Sequence, residues 1–248
     1  MLYPTVTKKE RDRIEELVAH FRENARWFSL VLEQVRGVIE ASAQLREHIH
    51  SMKWRVKDPA HLKDKLLRKL EAQKIKKKSL DIKNETLFTK VNDLAGLRIL
   101  HLYTQQMQYI NPLLKNSIAE AKFKLVEGPI ARVWDDESRN FFKGIGIPTI
   151  PSERMYTSVH YVVQTNMRTP YTCEIQVRTL MEEVWGEVDH TINYPHKTDD
   201  VACREQIAAL ARVTSGCSRL VDSIFRSHAA AIQGAARRRK GKFKQLGK

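Results

Sequence analysis

Cysteine is scarce in this chain of 248 residues, and the few cysteines present form no recognisable pattern. The three of them, Cys173, Cys203 and Cys217, include no CxxC pair. An odd, sparse set of this kind supplies no disulfide framework and is compatible with a reducing compartment. We therefore expect a cytoplasmic protein.

Long hydrophobic runs are missing as well. Nowhere do about 18 uncharged apolar residues follow one another, so we expect neither a transmembrane helix nor a membrane partner. The N-terminal residues, MLYPTVTKKERDR, have no apolar run behind their charges and therefore do not have the form of a secretory signal.

Acidic residues are the minority among the charged ones. Lys and Arg number 43 against 29 Asp and Glu, which gives a formal net charge of +14 at pH 7. Such a surplus favours polyanionic partners, meaning nucleotides, nucleic acid or an anionic membrane surface, without choosing among them. With 42% hydrophobic residues, the chain is long enough for one sizeable core with helical additions.

Helical periodicity is strongest towards the two ends of the chain. A capping box, TKKE at 7–10, opens an apolar stripe at helical spacing, which predicts one long helix or two over residues 7 to about 49. Residues 60–78 predict a second, very basic helix. A last helix, about 200–230, is indicated by the stripe Ile207, Leu210, Val213, Cys217, Leu220, Ile224 and Phe225.

Apolar and alternating segments in the middle of the chain predict strands. The segment VNDLAGLRILHLY, 91–103, is the most apolar, and the segments 156–165 and 171–179 have the form of an antiparallel pair joined by a short turn. Residues 123–134 predict a strand, or a hairpin around the Gly-Pro pair. Residues 135–155 contain two glycines and two prolines without a clean period, which predicts a mobile loop.

Two further helices complete the predicted fold. Residues 105–120 predict a helix, although Pro112 could set a helix start, and residues 180–194 predict one with the apolar face Leu180, Val184, Val188 and Ile192. The order of elements predicts an α+β fold, with a mixed, largely antiparallel sheet of four to five strands flanked by helices. The expected divisions are an N-terminal helical segment 1–50, a central domain 51–195, a C-terminal helix 196–233 and a basic tail 234–248.

Two adjacent predicted strands each carry a polar row on one face. The rows are Tyr156, Ser158 and His160, and Glu174, Gln176 and Arg178. If the two faces coincide, the sheet displays either a solvated outer surface or the floor of a binding cleft. The apolar, β-branched neighbours favour the cleft, and so do the carboxylates and His190 on the helix that follows.

Asp93 is a second anomaly, because it opens the most apolar strand of the chain. Its carboxylate could cap a loop, or it could join Glu174 in holding a hard cation such as Mg²⁺, which takes one or two carboxylates beside water and phosphate oxygens. Asp93 and Arg98 have opposite parity, so both reach one site only if the strand kinks near Gly96. The nearby basic run WRVKDPAHLKDK supplies either phosphate ligands or a solvated face, through Arg55, Lys57 and Lys65.

Four motifs in one order resemble the synthetase domain of the RelA/SpoT alarmone synthetases, and in size the small single-domain type. They are RVK with the basic helix behind it, DLAGLR, YTSVHYVV, and EIQVRT leading into WGEVDHTINY, over about residues 50–195. The resemblance implies a nucleotidyltransferase-like fold and a pyrophosphokinase of the bacterial stringent response. With Mg²⁺, such enzymes move the β,γ-pyrophosphate of ATP to the 3′-hydroxyl of GDP or GTP, releasing AMP and giving (p)ppGpp.

The resemblance also implies roles for the matched residues on the ATP side. Arg55 and Arg98 would sandwich the adenine, and Lys57 and Lys65 would hold the phosphates. Asp93 would bind Mg²⁺.

On the acceptor side, the resemblance implies that Glu174 helps to bind the metal or activates the 3′-hydroxyl. Tyr156 would stack on the acceptor base. The remaining residues implied near the acceptor and its phosphates are His160, Gln176 and Arg178.

The chain departs from the family pattern at several positions. Thr157 stands where the family often has Arg, so Lys143 or Arg154 could replace it as a phosphate ligand. Glu183 stands where small synthetases often have an Asn that reads guanine, and its carboxylate could accept hydrogen bonds from guanine N1 and N2. His61 stands where the family often has Ser. Nothing resembles the hydrolase domain of the long enzymes.

Two other functions stay open at this point. Some toxic small members of the family place pyrophosphate on the 3′ end of tRNA, and the altered acceptor loop and basic tail are compatible with that activity. Such a protein would have an antitoxin partner. A catalytically inactive domain that binds RNA or a protein is the other alternative. The long end helices could pack between subunits of a homo-oligomer or cover their own sheet.

Overall fold

A computed structural model describes residues 6–152, 154–194 and 197–246, with residues 235–246 described by their backbone alone. The helices are α1 Lys8–Ala41, α2 Ala43–Arg46, α3 Pro59–Ile75, α4 Asn84–Lys90, α5 Met107–Glu120, α6 Asp136–Gly144, α7 Leu180–Asn193 and α8 Val201–Leu246. The strands are β1 Ser51–Val56, β2 Ala95–His101, β3 Lys124–Val133, β4 Thr149–Pro151, β5 Ser158–Gln164 and β6 Thr172–Thr179. Among the described helices, none is both long and apolar enough to span a bilayer.

The first helix begins where the TKKE motif predicts it. The Thr7 hydroxyl accepts from the backbone N–H of Glu10, and the Glu10 carboxylate accepts from the backbone N–H of Thr7 at 2.8 Å. Ser42 ends α1 and caps α2, so the predicted helical stretch consists of two helices. The buried stripe of α1 is Ile14, Leu17, Val18, Phe21, Phe28, Val31, Leu32, Val35 and Ile39.

The strands form one sheet in the order β1-β2-β6-β5-β3-β4. The pairs β2–β6 and β3–β4 are parallel, and the other three pairs are antiparallel. The predicted fold class is therefore confirmed, although the sheet has six strands rather than four to five. The predicted antiparallel pairing of 156–165 with 171–179 is the β5–β6 ladder, in which His160 lies opposite Gln176.

The two faces of the central strands differ in chemistry because side chains alternate along a strand. One face is apolar and packs against α1, with buried Leu97, Ile99, Val159, Tyr161, Val163, Cys173, Ile175 and Val177. The other face carries both polar rows, and α7 lies against it through contacts with β2 and β6. This division leaves a polar floor beneath α7.

The segment 135–155, predicted as a mobile loop, contains helix α6 and strand β4 instead. Asp135 caps α6 by accepting from the backbone N–H of Ser138 at 2.9 Å, and Phe142 anchors the helix in the core. Its tertiary contacts outweigh the glycine and proline signals on which the loop prediction depended.

The structure decides two alternatives that the sequence leaves open. Helix α5 begins at Met107, so Pro112 lies inside it rather than at its start. The segment 123–134 is one strand, not a hairpin, and its pairing with β5 shifts register between Leu125 and Ile130. The Gly128-Pro129 pair lies within this irregularity.

The predicted apolar face of the helix at 180–194 is wrong in part. Val184 and Ile192 are exposed, whereas Glu182, Glu183 and Trp185 are buried. The reason is that α7 packs on α8 through the Trp185 ring and turns its acidic side towards the sheet.

The predicted stripe of the last helix is also largely exposed. Ile207 is buried, but Val213, Leu220 and Ile224 are each more than half exposed. Small and polar residues face the domain instead, namely Ala211, Thr214, Ser215, Ser218 and Asp222. The helix continues to Leu246, so the predicted basic tail extends its backbone, and the predicted boundary at 195–196 lies outside the described residues.

Candidate active site

Two clefts lie side by side between the polar floor of the sheet and helix α7. The β1-side cleft has a volume of about 290 Å³, and its lining includes Lys53, Arg55, Asp93, Arg98, Glu174 and Gln176. The β3-side cleft has a volume of about 450 Å³, and its lining includes Arg98, Arg132, Arg154, Tyr156, Arg178 and Trp185. Arg98, Gln176 and His190 border both, so the two clefts communicate.

Asp93 is held by two lysines at the closed end of the β1-side cleft. Its carboxylate oxygens lie 2.9 Å from Nζ of Lys57 and 2.7 Å from Nζ of Lys65. Lys57 follows β1 directly, and Lys65 lies in α3, which Asp58 caps and Pro59 begins. Burial raises the pKa of Asp93, but the charges of Lys65 and Lys57 lower it to about 2, so this carboxylate is ionised at neutral pH.

The parity difficulty between Asp93 and Arg98 is resolved without a kink. Strand β2 begins at Ala95, so Asp93 lies in the turn before it, where strand alternation does not apply. Arg98 then projects from β2 into the β1-side cleft, as does Arg55 from β1, where it pairs with Gly96. The two arginines thus lie on neighbouring strands of one cleft.

Glu174 lies at the centre of the polar floor and is oriented from two sides. His160 Nδ1 lies 3.0 Å from Oε1, and Nε2 of Gln176 donates to Oε2 at 2.8 Å. The faces of β5 and β6 therefore coincide, as the polar rows predict. Burial raises the pKa of Glu174, but the hydrogen bond and charge of His160 hold the pKa below its ordinary value despite the nearby Asp93.

The β3-side cleft is lined by arginine and aromatic side chains. Tyr156 stacks on Trp185 with ring planes 11° apart and centroids separated by 5.9 Å. Arg132 projects from β3, where it lies opposite Ser158 of β5. Of the two proposed substitutes for the missing family arginine, Arg154 lines this cleft and Lys143 does not.

Arg178, which lines the β3-side cleft, forms a buried ion pair with Glu183 of α7. Nη2 of Arg178 contacts Oε2 of Glu183, and the second carboxylate oxygen, Oε1, lies 2.8 Å from Nζ of Lys53 and 3.3 Å from Nη1 of Arg98. Glu187 adds a second contact to Arg98 at 2.6 Å. Burial raises the pKa of Glu183, but Arg178, Lys53 and Arg98 lower it to about 2.

Several residues of the site escaped sequence analysis. The alternation of side chains along β3 could have placed Arg132 in the site, but only if the β3–β5 register had been known. Trp185, Gly186 and Glu187 belong to the motif WGEVDHTINY, but sequence analysis assigned them no role in the site, and Lys53 was not singled out.

The acidic side chains present fit one divalent cation. Within the described ranges there is no cluster of three or more His, Cys, Asp or Glu side chains suited to a metal. Asp93 and Glu174 nevertheless line the same cleft and are close enough for the charge of one to raise the pKa of the other. Mg²⁺ in phosphotransfer sites takes one or two carboxylates and completes its shell with phosphate oxygens and water, which this pair allows.

Comparison with known proteins gives the chain a family. The family model described as "Region found in RelA / SpoT proteins" matches residues 54–199, which is more than half of the chain. Comparison with curated protein sequences gave no match.

Among solved structures, the chain is similar to the small alarmone synthetase 1 of Bacillus subtilis bound to its product pppGpp. The identity is 22%, the match covers 88% of this chain and 97% of that one, and the TM-score is 0.53. The same synthetase bound to AMPCPP matches with 20% identity, coverages of 87% and 98% and a TM-score of 0.51.

A GTP pyrophosphokinase family protein from Streptococcus pneumoniae has 19% identity, coverages of 91% and 97% and a TM-score of 0.59. At these identities the three structures show the fold, and the family model covers every lining residue of the two clefts except Lys53. The chain therefore belongs to the RelA/SpoT family.

Proposed function

We propose that the protein is an ATP-dependent pyrophosphokinase that transfers the β,γ-pyrophosphate of ATP to the 3′-hydroxyl of GDP or GTP. The observation that carries this proposal is the pair of communicating clefts, with Asp93 and Glu174 on one floor. A carboxylate pair beside lysines suits a triphosphate with its cation, and an arginine-rich cleft next to it suits a second anionic nucleotide. Relatives with this fold were solved with AMPCPP and with pppGpp.

In the β1-side cleft, the side chains are suited to bind ATP. Arg55 and Arg98 offer guanidinium planes for stacking on adenine, and Lys57 and Lys65 are within reach of phosphates entering beside Asp93. When phosphates draw the two ammonium groups away, the Asp93 carboxylate is released. Asp93 and Glu174 would then hold Mg²⁺, which when bound neutralises charge on the phosphate oxygens.

Glu174 is the residue we assign as general base. A carboxylate that is ionised at neutral pH and oriented by His160 and Gln176 can accept the proton of the acceptor's 3′-hydroxyl. The 3′-oxygen then forms a bond to the β-phosphorus, and the bond from that phosphorus to the α–β bridging oxygen breaks. AMP leaves with the electron pair, and positioning with cationic side chains supplies most of the rate.

The β3-side cleft is suited to bind the acceptor nucleotide. Tyr156, backed by Trp185, offers a flat surface for the base, and the acceptor phosphates would meet Arg132, Arg154 and Arg178. We propose His160 and Gln176 as residues near the ribose, because both contact the general base.

The test is incubation with γ-³²P-ATP and Mg²⁺ together with GDP, GTP, ATP or tRNA in separate reactions. The proposal predicts labelled product with GDP or GTP, and AMP in equal amount. Transfer of label to ATP as acceptor would mean that the acceptor carries adenine rather than guanine. Absence of label from every acceptor would contradict the enzymatic function.

A second candidate function is pyrophosphate transfer to the 3′ end of tRNA. It is favoured by a groove of about 280 Å³ that continues from the β3-side cleft and shares Arg154, Trp185 and Asp189 with it. Lys197 and Arg204 add positive charge there, so a polynucleotide backbone could leave the cleft along this path. Label on tRNA rather than on a nucleotide would favour this candidate. RNA binding without label transfer would instead indicate an inactive binding domain.

A further inference from the structure

Two residues of α7, Glu183 and Gly186, surround the guanidinium of Arg178. We infer that Glu183 and Gly186 are positioning residues that hold this guanidinium at the wall of the β3-side cleft. We further infer that Glu183 joins the acceptor wall to the ATP wall through Arg98. The inference deepens the proposed function and rests on it.

Gly186 provides the space that the guanidinium occupies. A Cβ built on Gly186 would lie 2.6 Å from Nη1 of Arg178, closer than Cβ atoms approach their neighbours, and a tight 3.3 Å from Cζ. The φ of Gly186 is not positive, so the backbone itself does not require glycine. Glycine inside a helix destabilises it by roughly 0.5–1 kcal/mol relative to alanine. The Arg178 contact explains why glycine is present.

Glu183 provides the charge that holds two guanidinium groups near each other. One carboxylate oxygen contacts Arg178, and the other contacts Lys53 and Arg98. The residue is only 5% exposed, so neither oxygen points freely into the β3-side cleft. This arrangement favours a role on the two arginines over direct contact with the acceptor base.

The guanidinium that this pair holds still has hydrogen-bonding capacity for a ligand. Arg178 is 6% exposed, and its Nε is buried with no hydrogen-bond acceptor in the part of the chain that the structure describes. A buried N–H donor without an acceptor is unfavourable, and an anionic group of the acceptor nucleotide would satisfy it. Without Glu183, the like charges of Arg178 and Arg98 would repel each other and both side chains would move.

The two residues therefore predict different kinetic signatures. Gly186→Ala displaces Arg178 alone, so it should raise KM for the acceptor by about tenfold and leave KM for ATP within about twofold. Glu183→Gln releases both arginines, so it should raise both KM values by about tenfold. The matched control is Gly216→Ala, because Gly216 is also helical but has nothing within 4 Å of its added Cβ.

The experiment is steady-state kinetics of the full chain and these three variants, with ATP varied against GTP and GTP varied against ATP. Alanine favours the helix, so Gly186→Ala should fold, and thermal melting checks this. An unchanged acceptor KM in Gly186→Ala, or equal increases in both KM values for that variant, would overturn the inference. So would a Glu183→Gln variant in which only one KM changes.

A failure of the proposed function can be distinguished from a failure of the positioning role. If the unchanged protein transfers no label, calorimetric titration with GTP replaces the kinetic assay. Weaker GTP binding in Gly186→Ala than in Gly216→Ala then supports the positioning role without catalysis. Equal binding in both, or no binding by the unchanged protein, overturns it.

Discussion

The two clefts of the site differ in how their charges are balanced. Three cationic side chains line the β1-side cleft, and so do three carboxylates, those of Asp93, Glu174 and Glu187. The β3-side cleft has four arginines against one carboxylate, that of Asp189. A balanced lining suits a triphosphate that arrives with its own cation, whereas a lining with a surplus of arginine suits an anion, even though Glu183 pairs with Arg178 and Arg98. Positive charge alone therefore does not mark the cleft that we propose for ATP.

The largest effect is expected from Asp93→Asn, which would break the balance of the β1-side cleft. The neutral amide cannot hold a divalent cation as the carboxylate does, and buried Lys57 loses its counter-charge. We expect pyrophosphate transfer to fall by about 10³-fold, a loss at the upper end for a single electrostatic group. The measurement is the initial rate of label transfer from γ-³²P-ATP. The control is Asp81→Asn, because Asp81 also contacts a lysine but is exposed.

The pKa values of two carboxylates near the clefts are shifted in opposite directions, downward for Asp93 and upward for Glu182. Burial raises the pKa of Glu182, behind the β3-side cleft, to about 7, even though the backbone N–H of Thr157 and the charge of Arg178 lower it. An unfolded glutamate has a lower pKa, so the unfolded state releases this proton first, and the folded state loses stability as pH rises from about 4.5 to 7.

The variant Glu182→Gln removes this penalty and should be more stable than the unchanged protein at pH 8 by as much as ~3 kcal/mol, with little difference near pH 4.5. Urea unfolding at the two pH values measures it. The exposed Glu120→Gln serves as control. An equal stability difference at both pH values would contradict the assignment.

Arg132→Ala tests whether the two clefts bind different nucleotides, because Arg132 lines the β3-side cleft and not the β1-side cleft. We expect KM for GTP to rise by about tenfold while KM for ATP stays within about twofold, since one charge-assisted hydrogen bond to a phosphate is lost. Exposed Arg212→Ala is the control. A larger rise in KM for ATP than for GTP would reverse our assignment of the clefts.

The smallest effect is expected from salt. Raising KCl from about 50 to about 300 mM should increase KM for GTP about threefold more than KM for ATP. The reason is that the surplus of arginine lies in the β3-side cleft, which we propose for GTP. Parallel increases would mean that the two clefts attract their ligands equally.

Much of the cleft that we propose for ATP could be predicted from the sequence, because its residues lie in short motifs. Asp93 and Arg98 belong to DLAGLR, and Arg55 and Lys57 belong to one basic run. Alternation along β5 and β6 likewise placed His160 and Glu174 on one face, and their 3.0 Å contact confirms it. Sequence pattern is sufficient to predict site residues that lie close together in the chain.

The acceptor side was less predictable, because tertiary contacts assemble it. Arg132 joins the cleft through an irregular β3–β5 register that no turn signal in the sequence reveals. Glu183 was assigned to the acceptor base from the resemblance alone. Its partners Lys53 and Arg98 lie on strands 85 or more residues earlier in the chain, which local sequence pattern does not reveal. The wrong face of α7 was predicted to be buried, because Val184 and Ile192 have the spacing of a buried apolar stripe. The residue that packs on α8 is Trp185.

The two lysines on Asp93 have a consequence for the order in which ligands load. Each carboxylate oxygen of Asp93 has an ammonium partner, so a free divalent ion would have to compete with two nearby positive charges. A triphosphate lowers that barrier, since its oxygens give the ammonium groups new partners. If Asp93 holds Mg²⁺ as we propose, nucleotide and cation binding would be linked with positive cooperativity, because Lys57 and Lys65 oppose cation binding until phosphates engage them.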